Sequence, residues 1–232
     1  MTKIRDVIAD YLWFARNIIA TPRAHVPTRP NDTRATIVML PGILEDGSYF
    51  QSTFEPLEKS GYDVVQPDLG RMLAPVPELA RLVIADVAKR FGEDPDLPII
   101  LLAHSKGSLV GRAALAALPE GVHGLIAIAA PWSGSSMSNL FPWVKALASM
   151  APKGPALAQP WGAVREHLLR SRIYSLSPTW DLHIPEGSQL EGATNIPLKV
   201  SGHFRGIGAP HTLDVVVSCI EELIDLGPIR TS

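Results

Sequence analysis

The chain has 232 residues, 46% of them hydrophobic, with 21 Lys and Arg against 23 Asp and Glu and a net charge of -2. That length and apolar content fit one α/β domain with a sizeable core and exclude a disordered chain. The absence of a basic block argues against nucleic acid as a partner, and the single Cys219 excludes an intrachain disulfide and a cysteine-based zinc site.

In residues 1–20, Ile4, Val7, Ile8, Tyr11, Leu12, Ala15, Ile18 and Ile19 recur at helical spacing, which predicts an N-terminal amphipathic helix. Asp6, Asp10 and Arg16 interrupt any signal-peptide core, and no run is long enough to span a membrane. A cytoplasmic protein is expected, with three uses open for the helix: packing on its own domain, binding a partner, or lying on a membrane surface. A Pro-rich linker follows over 21–33. Strands then alternate with helices: strand 35–40, helix 48–61, strand 62–67, helix 77–92, strand 98–103, helix 105–118 and strand 122–130. Two more strands are expected at 172–177 and 196–201, and a closing helix at 212–227. Six apolar strands in this order imply a mostly parallel sheet with helices on both faces and an active site beyond the carboxyl ends of the strands. Residues 131–171 break the alternation with five prolines and large apolar residues, among them Trp132, Phe141, Trp143, Leu147, Met150 and Trp161. They read as an insertion on top of the sheet, two short helices joined by a loop, within one domain spanning 1–232.

The stretch LLAHSKGSLVGR (101–112) turns an apolar strand into a helix within three residues. Such a turn pushes Ser105 out of the packed layer and requires small residues around it, which Ala103 and Gly107 supply. The helix N-terminus beneath it favours developing negative charge. Ser105 is therefore either an exposed nucleophile or a simple helix cap.

The segment AHSKG resembles the nucleophile elbow of the α/β-hydrolase superfamily, in the Ala-for-Gly form of small bacterial lipases and esterases. Three further matches, in the same order as in the family, carry the resemblance from about Thr36 to Leu226. LPGILEDG resembles the oxyanion loop, with Pro41 where the family usually has His, which removes a side chain that can brace the loop. AIAAPWSGSSMSNL is similar to the segment that shapes the pocket and leads into a lid. SLSPTWDLHIP and KVSGHFRGIG resemble the places of the acid and the base. The resemblance implies an α/β-hydrolase fold with a short lid insertion at 132–170, and a triad of Ser105, Asp181 and His203. It also implies an oxyanion hole from the backbone N–H groups of Ile43 and Lys106, and acyl contacts from Leu44, Trp132, Phe141 and Trp143. The activity implied is ester hydrolysis by an esterase or lipase, without metal or other cofactor, on a small ester or lipid and with contact to a lipid surface left open. Acyl transfer or thioester hydrolysis on the same triad, and a silent hydrolase-like binding protein, stand as alternatives. Asp68 is the alternative acid and His211 the alternative base; His104 is expected to be structural, and His183 to line the pocket or stand exposed. The Lys106 side chain is expected to reach solvent or to attract an anionic substrate group.

Overall fold

Strand side chains alternate between the two faces of a sheet, so a strand apolar at every position is covered on both sides. β1 (Ala35–Leu40), β3 (Ile99–His104) and β4 (Val122–Ile128) are buried along their whole length. With β2 (Tyr62–Val65), β5 (Ile173–Ser177) and β6 (Thr194–Pro197) they form one parallel sheet in the order β2-β1-β3-β4-β5-β6. Val38, Leu40, Leu101 and Leu125 share a core with α3 (Val76–Glu93) and α4 (Lys106–Ala117). The intervening Ile37, Met39, Ile100 and Ile126 share the opposite core with α2 (Gln51–Lys59) and α7 (Pro210–Leu226). The N-terminal α1 (Thr2–Ile19) adds Trp13 and Phe14 to this second core. The structure, a computed structural model, describes residues 2–19, 29–30, 32–45, 49–117, 121–157 and 163–229. Most of the predicted linker, the expected start of the second helix at Ser48, and Trp161 lie outside these residues. Among the described residues no helix is long and apolar enough to cross a membrane.

The sheet grows from β1 to β2 on one side and then returns to add β3 on the other. Loops leaving β1 and β3 diverge at that reversal, which opens a crevice at their carboxyl ends. Two expectations shift. The last strand lies at 194–197 instead of 196–201, because it is an edge strand, mostly exposed, that carries little apolar pattern. Between β4 and β5, the first expected helix is broken into a 3-10 turn (Ser136–Leu140) and the single turn α5 (Lys145–Ala148), with Pro142 between them. A second 3-10 turn (Pro155–Leu157) and α6 (Ala163–Arg170) complete the segment.

Gly107 sets how closely α4 approaches the end of β1. A Cβ there would stand 2.2 Å from the Leu40 carbonyl oxygen and 2.6 Å from that of Pro41. Both obstacles are backbone and cannot swing aside. Gly107→Ala should therefore destabilise the protein by about 3 kcal/mol or more, at the upper end of overpacking effects, measured by urea unfolding; a change near zero would show that α4 has room to retreat.

Candidate active site

β3 ends at His104 and α4 begins at Lys106, so Ser105 alone makes the turn between them. Its φ is 50°, a left-handed conformation that costs a non-glycine residue about 1–3 kcal/mol. Its backbone holds this shape by donating to Ile128 O at 3.0 Å and accepting from Ser108 N at 3.0 Å. The conformation presents Oγ to Nε2 of His203 at 3.0 Å. His203 Nδ1 in turn lies 2.7 Å from Asp181 Oδ2. The other carboxylate oxygen of Asp181 accepts from the backbone N–H groups of His183 at 2.7 Å and Ile184 at 3.1 Å. A carboxylate only accepts, so Nδ1 of His203 carries the proton and the Nε2 lone pair faces Ser105. All three side chains are buried.

Burial alone would lower the His203 pKa. The Asp181 carboxylate, by charge and hydrogen bond, with Glu45 and Asp10 behind it, outweighs burial and raises it above the ordinary 6.5. Burial would raise the Asp181 pKa, and the positive His203 overrides that, keeping it below the usual 3.8. The ring of His183 faces that of His203 at 4.9 Å. Burial and the neighbouring His203 charge lower the His183 pKa to about 4, so it stays neutral beside the triad geometry.

The competing residues lie elsewhere. Asp68 is exposed and accepts from Gly70 N in its own turn, and His211 is exposed in the first turn of α7. Ser108 is fully buried inside α4. Ile43 is half-buried against the core, and Leu44 is exposed with a φ of 64°. Phe141 and Trp143 are 42% and 74% exposed and meet edge to face at 5.9 Å. Two expectations need correcting. Trp132 is buried in the core, its indole N–H donating to Ser175 Oγ at 2.8 Å, because an indole taken out of water needs an acceptor; it offers no open acyl contact. The Lys106 side chain reaches neither solvent nor substrate. It is buried, Nζ donating to the carbonyls of Met72 at 2.8 Å and Ala74 at 2.7 Å, and burial lowers its pKa to about 8.

Sequence reasoning missed Glu45 and Asp10 behind the site, although it expected His104 to be structural. Glu45 and His104 form a buried pair, Nδ1 lying 2.7 Å from Oε1. Glu45 also accepts from Gly42 N at 2.5 Å, and a Cβ on Gly42 would sit 2.7 Å from that carboxylate and push it from this place. Glu45 thus braces the loop after β1, the task left open by Pro41. His104 Nε2 lies 2.9 Å from the carbonyl oxygen of His203, which only accepts, so His104 donates to it. Asp10, noted in the sequence only as an interruption of an apolar run, is buried as well. The positional signal for Glu45 was an acid within the oxyanion-like loop; its partner stands 59 residues away. Among the described residues no group of His, Cys, Asp and Glu could hold a metal ion.

This combination of a parallel sheet, a strained serine at a strand-to-helix turn and a histidine–carboxylate pair facing it defines an α/β-hydrolase. Residues 31–175 match the family described as serine aminopeptidase, S33, and the chain belongs to that family of α/β hydrolases. No curated protein matches the chain. Among solved structures, the lipase BlEst2 of Bacillus licheniformis is similar at 15% identity and a TM-score of 0.60, covering 88% of this chain and 95% of that one. The metagenomic carboxyl esterase MGS0156 is 17% identical with a TM-score of 0.62, over 87% of this chain and 80% of that one. Lipase B of Aspergillus fumigatus is 15% identical with a TM-score of 0.64, over 82% of this chain but 55% of that one. At such identities the likeness is one of fold.

Stripping one partner from a buried pair typically costs about 3–5 kcal/mol. Glu45→Ala should lose that much unfolding free energy in a urea titration, because His104 and Gly42 N lose their acceptor together. A loss of only about 1 kcal/mol, as for a surface pair, would mean that Glu45 does not carry the loop.

Proposed function

We propose that the protein is a carboxylic ester hydrolase, an esterase or lipase, working through Ser105, His203 and Asp181. The observation that carries this reading is the continuous hydrogen-bonded line from Ser105 Oγ through the His203 ring to Asp181. As Oγ attacks the ester carbonyl, His203 Nε2 takes its proton and Asp181 stabilises the imidazolium. The carbonyl oxygen becomes an oxyanion that accepts from the backbone N–H groups of Ile43 and Lys106, neither of which has a hydrogen-bond partner among the described residues. Each such donor is worth about 3–4 kcal/mol in the transition state. The imidazolium returns the proton to the leaving alkoxide, which departs as the alcohol. Water then attacks the acyl-enzyme by the same route and releases the acid and free Ser105. The esterase and lipase neighbours are in keeping with this chemistry. An aminopeptidase would need a carboxylate to receive a substrate ammonium. Among the described residues, the carboxylates around His203, namely Asp181, Glu45 and Asp10, are each engaged within the protein, which favours an ester.

Ser105→Ala and His203→Ala should each lower kcat on p-nitrophenyl acetate by roughly 10⁴-fold or more with an unchanged circular dichroism spectrum, whereas His211→Ala should keep most activity. Turnover by Ser105→Ala would refute the reading, and faster cleavage of aminoacyl anilides than of esters would replace it with a peptidase. A raised His203 pKa leaves the base unprotonated only above that value. The acidic limb of kcat/KM should accordingly lie above pH 6.5 and activity should fall as pH drops through it.

Phe141 and Trp143 are the exposed aromatic side chains among the described residues between β4 and β5, and we assign them to the acyl chain. Each buried CH₂ contributes about 0.8 kcal/mol, so the double change Phe141→Ala with Trp143→Ala should raise KM more for dodecanoyl than for acetyl esters. Equal effects on both chain lengths would exclude that role.

A further inference from the structure

The stretch shared with the family begins at residue 31, and α1 lies before it. Ile4, Ile8 and Leu12 lie exposed along α1, yet Asp10 is only 3% exposed. A buried carboxylate requires hydrogen-bond donors. Those of Asp10 are three successive backbone N–H groups: His203 to Oδ2 at 2.8 Å, and Phe204 and Arg205 to Oδ1 at 2.9 Å each. Gly202 makes room for this contact. It has a φ of 106°, and a Cβ there would stand 2.3 Å from Asp10 Oδ1. On the other side of the same residue, the His203 carbonyl accepts from His104. Both peptide groups flanking the His203 Cα are therefore held, the first by α1 and the second by α1 and the end of β3 together. Around this contact, Tyr11 Oη lies 3.0 Å from His183 Nε2, and the Phe14 and Phe204 rings pack at 4.2 Å.

We propose that Asp10 is a positioning residue for His203, so that α1 is a working part of the active site and not merely a helix docked on the fold. The proposal rests on the assignment of His203 as the base. Asp10 does not touch the reacting atoms. It sets where the imidazole stands relative to Ser105, and a misplacement of about 1 Å costs on the order of 10²-fold in rate. Its charge also reaches the ring. The groups facing His203 are Asp181 from the loop after β5, Glu45 from the loop after β1, His104 from β3, His183, and Asp10 from α1. Of these, the three carboxylates favour the imidazolium.

The test is Asp10→Asn in the full chain. Asparagine keeps the volume and one acceptor oxygen, turns an amide N–H₂ toward donors, and removes the charge. The expected result is a kcat on p-nitrophenyl acetate lower by roughly 10–100-fold, with KM within about twofold. The acidic limb should move to lower pH, since losing a negative charge lowers the His203 pKa and leaves the base free in more acidic solution. Asp6→Asn is the control. It breaks the pair with Arg205 at 2.7 Å, which also docks α1, and should lower Tm without moving kcat or the limb. A purely structural Asp10 would change Tm and the folded fraction alone, and a wild-type kcat with an unmoved limb in Asp10→Asn overturns the proposal. Where Asp10→Asn does not fold, Asp10→Ser, with one small acceptor, carries the same measurement; failure of both to fold makes Asp10 a stability residue and overturns the proposal as well. Wild-type labelling of Ser105 by a fluorophosphonate comes first. Absence of labelling refutes the hydrolase reading, whereas labelling with an unaffected Asp10→Asn refutes only the role of Asp10.

Discussion

A single left-handed residue between β3 and α4 is the constraint on which the rest of the site depends. With no loop to absorb the change of direction, Ser105 must take a φ of 50°, and the surroundings must make that conformation the least costly one. The Ile128 carbonyl on β4 anchors its N–H. Gly107 lets α4 press against the end of β1, which places the start of the helix beside the loop 41–45. Lys106 reinforces the same junction from within. Its ammonium holds the carbonyls of Met72 and Ala74, and the neighbouring Arg71 carbonyl accepts from Leu44 N. The loops after β1 and β2 are thereby tied to the helix N-terminus that follows β3.

The histidine side is organised by buried negative charge. Asp181, Glu45 and Asp10 come from three separate parts of the chain, and all are buried around His203. Burial opposes an imidazolium, whereas the carboxylates favour it, and the ring ends with its pKa raised. Each carboxylate also holds backbone: Gly42 N, the N–H groups of His183 and Ile184, and those of residues 203–205. The groups that set the charge of the site are therefore the groups that set its shape.

Much of this was legible in the sequence, and for a local reason. Strands buried on both faces are continuous apolar runs, so β1, β3 and β4 were marked by composition alone, within one or two residues of their ends. The strand-to-helix switch marked Ser105, and the resemblance to the α/β hydrolases marked Asp181 and His203, which the fold brings within hydrogen-bonding distance. What could not be read were pairings across the fold. Glu45 with His104 and Asp10 with His203 leave no periodic trace, since each residue looks like an ordinary charge in its own neighbourhood. Trp132 looked like a pocket residue because nothing local reveals the Ser175 hydroxyl that receives its N–H. The edge strand β6 was expected too far along the chain because a strand without a covering layer needs no apolar pattern.

The contact between Asp10 and His203 spans 193 residues of a 232-residue chain. Closing so long a loop carries an entropy cost that local structure does not repay, and contacts of this kind form late in folding. During synthesis α1 emerges well before the turn at 202–205 that receives it. Until that turn has left the ribosome, Trp13 and Phe14 have no finished surface to cover and Asp10 has no donors. The sheet can assemble strand by strand in the meantime, and the arrival of that turn joins α1 to the loop that carries His203.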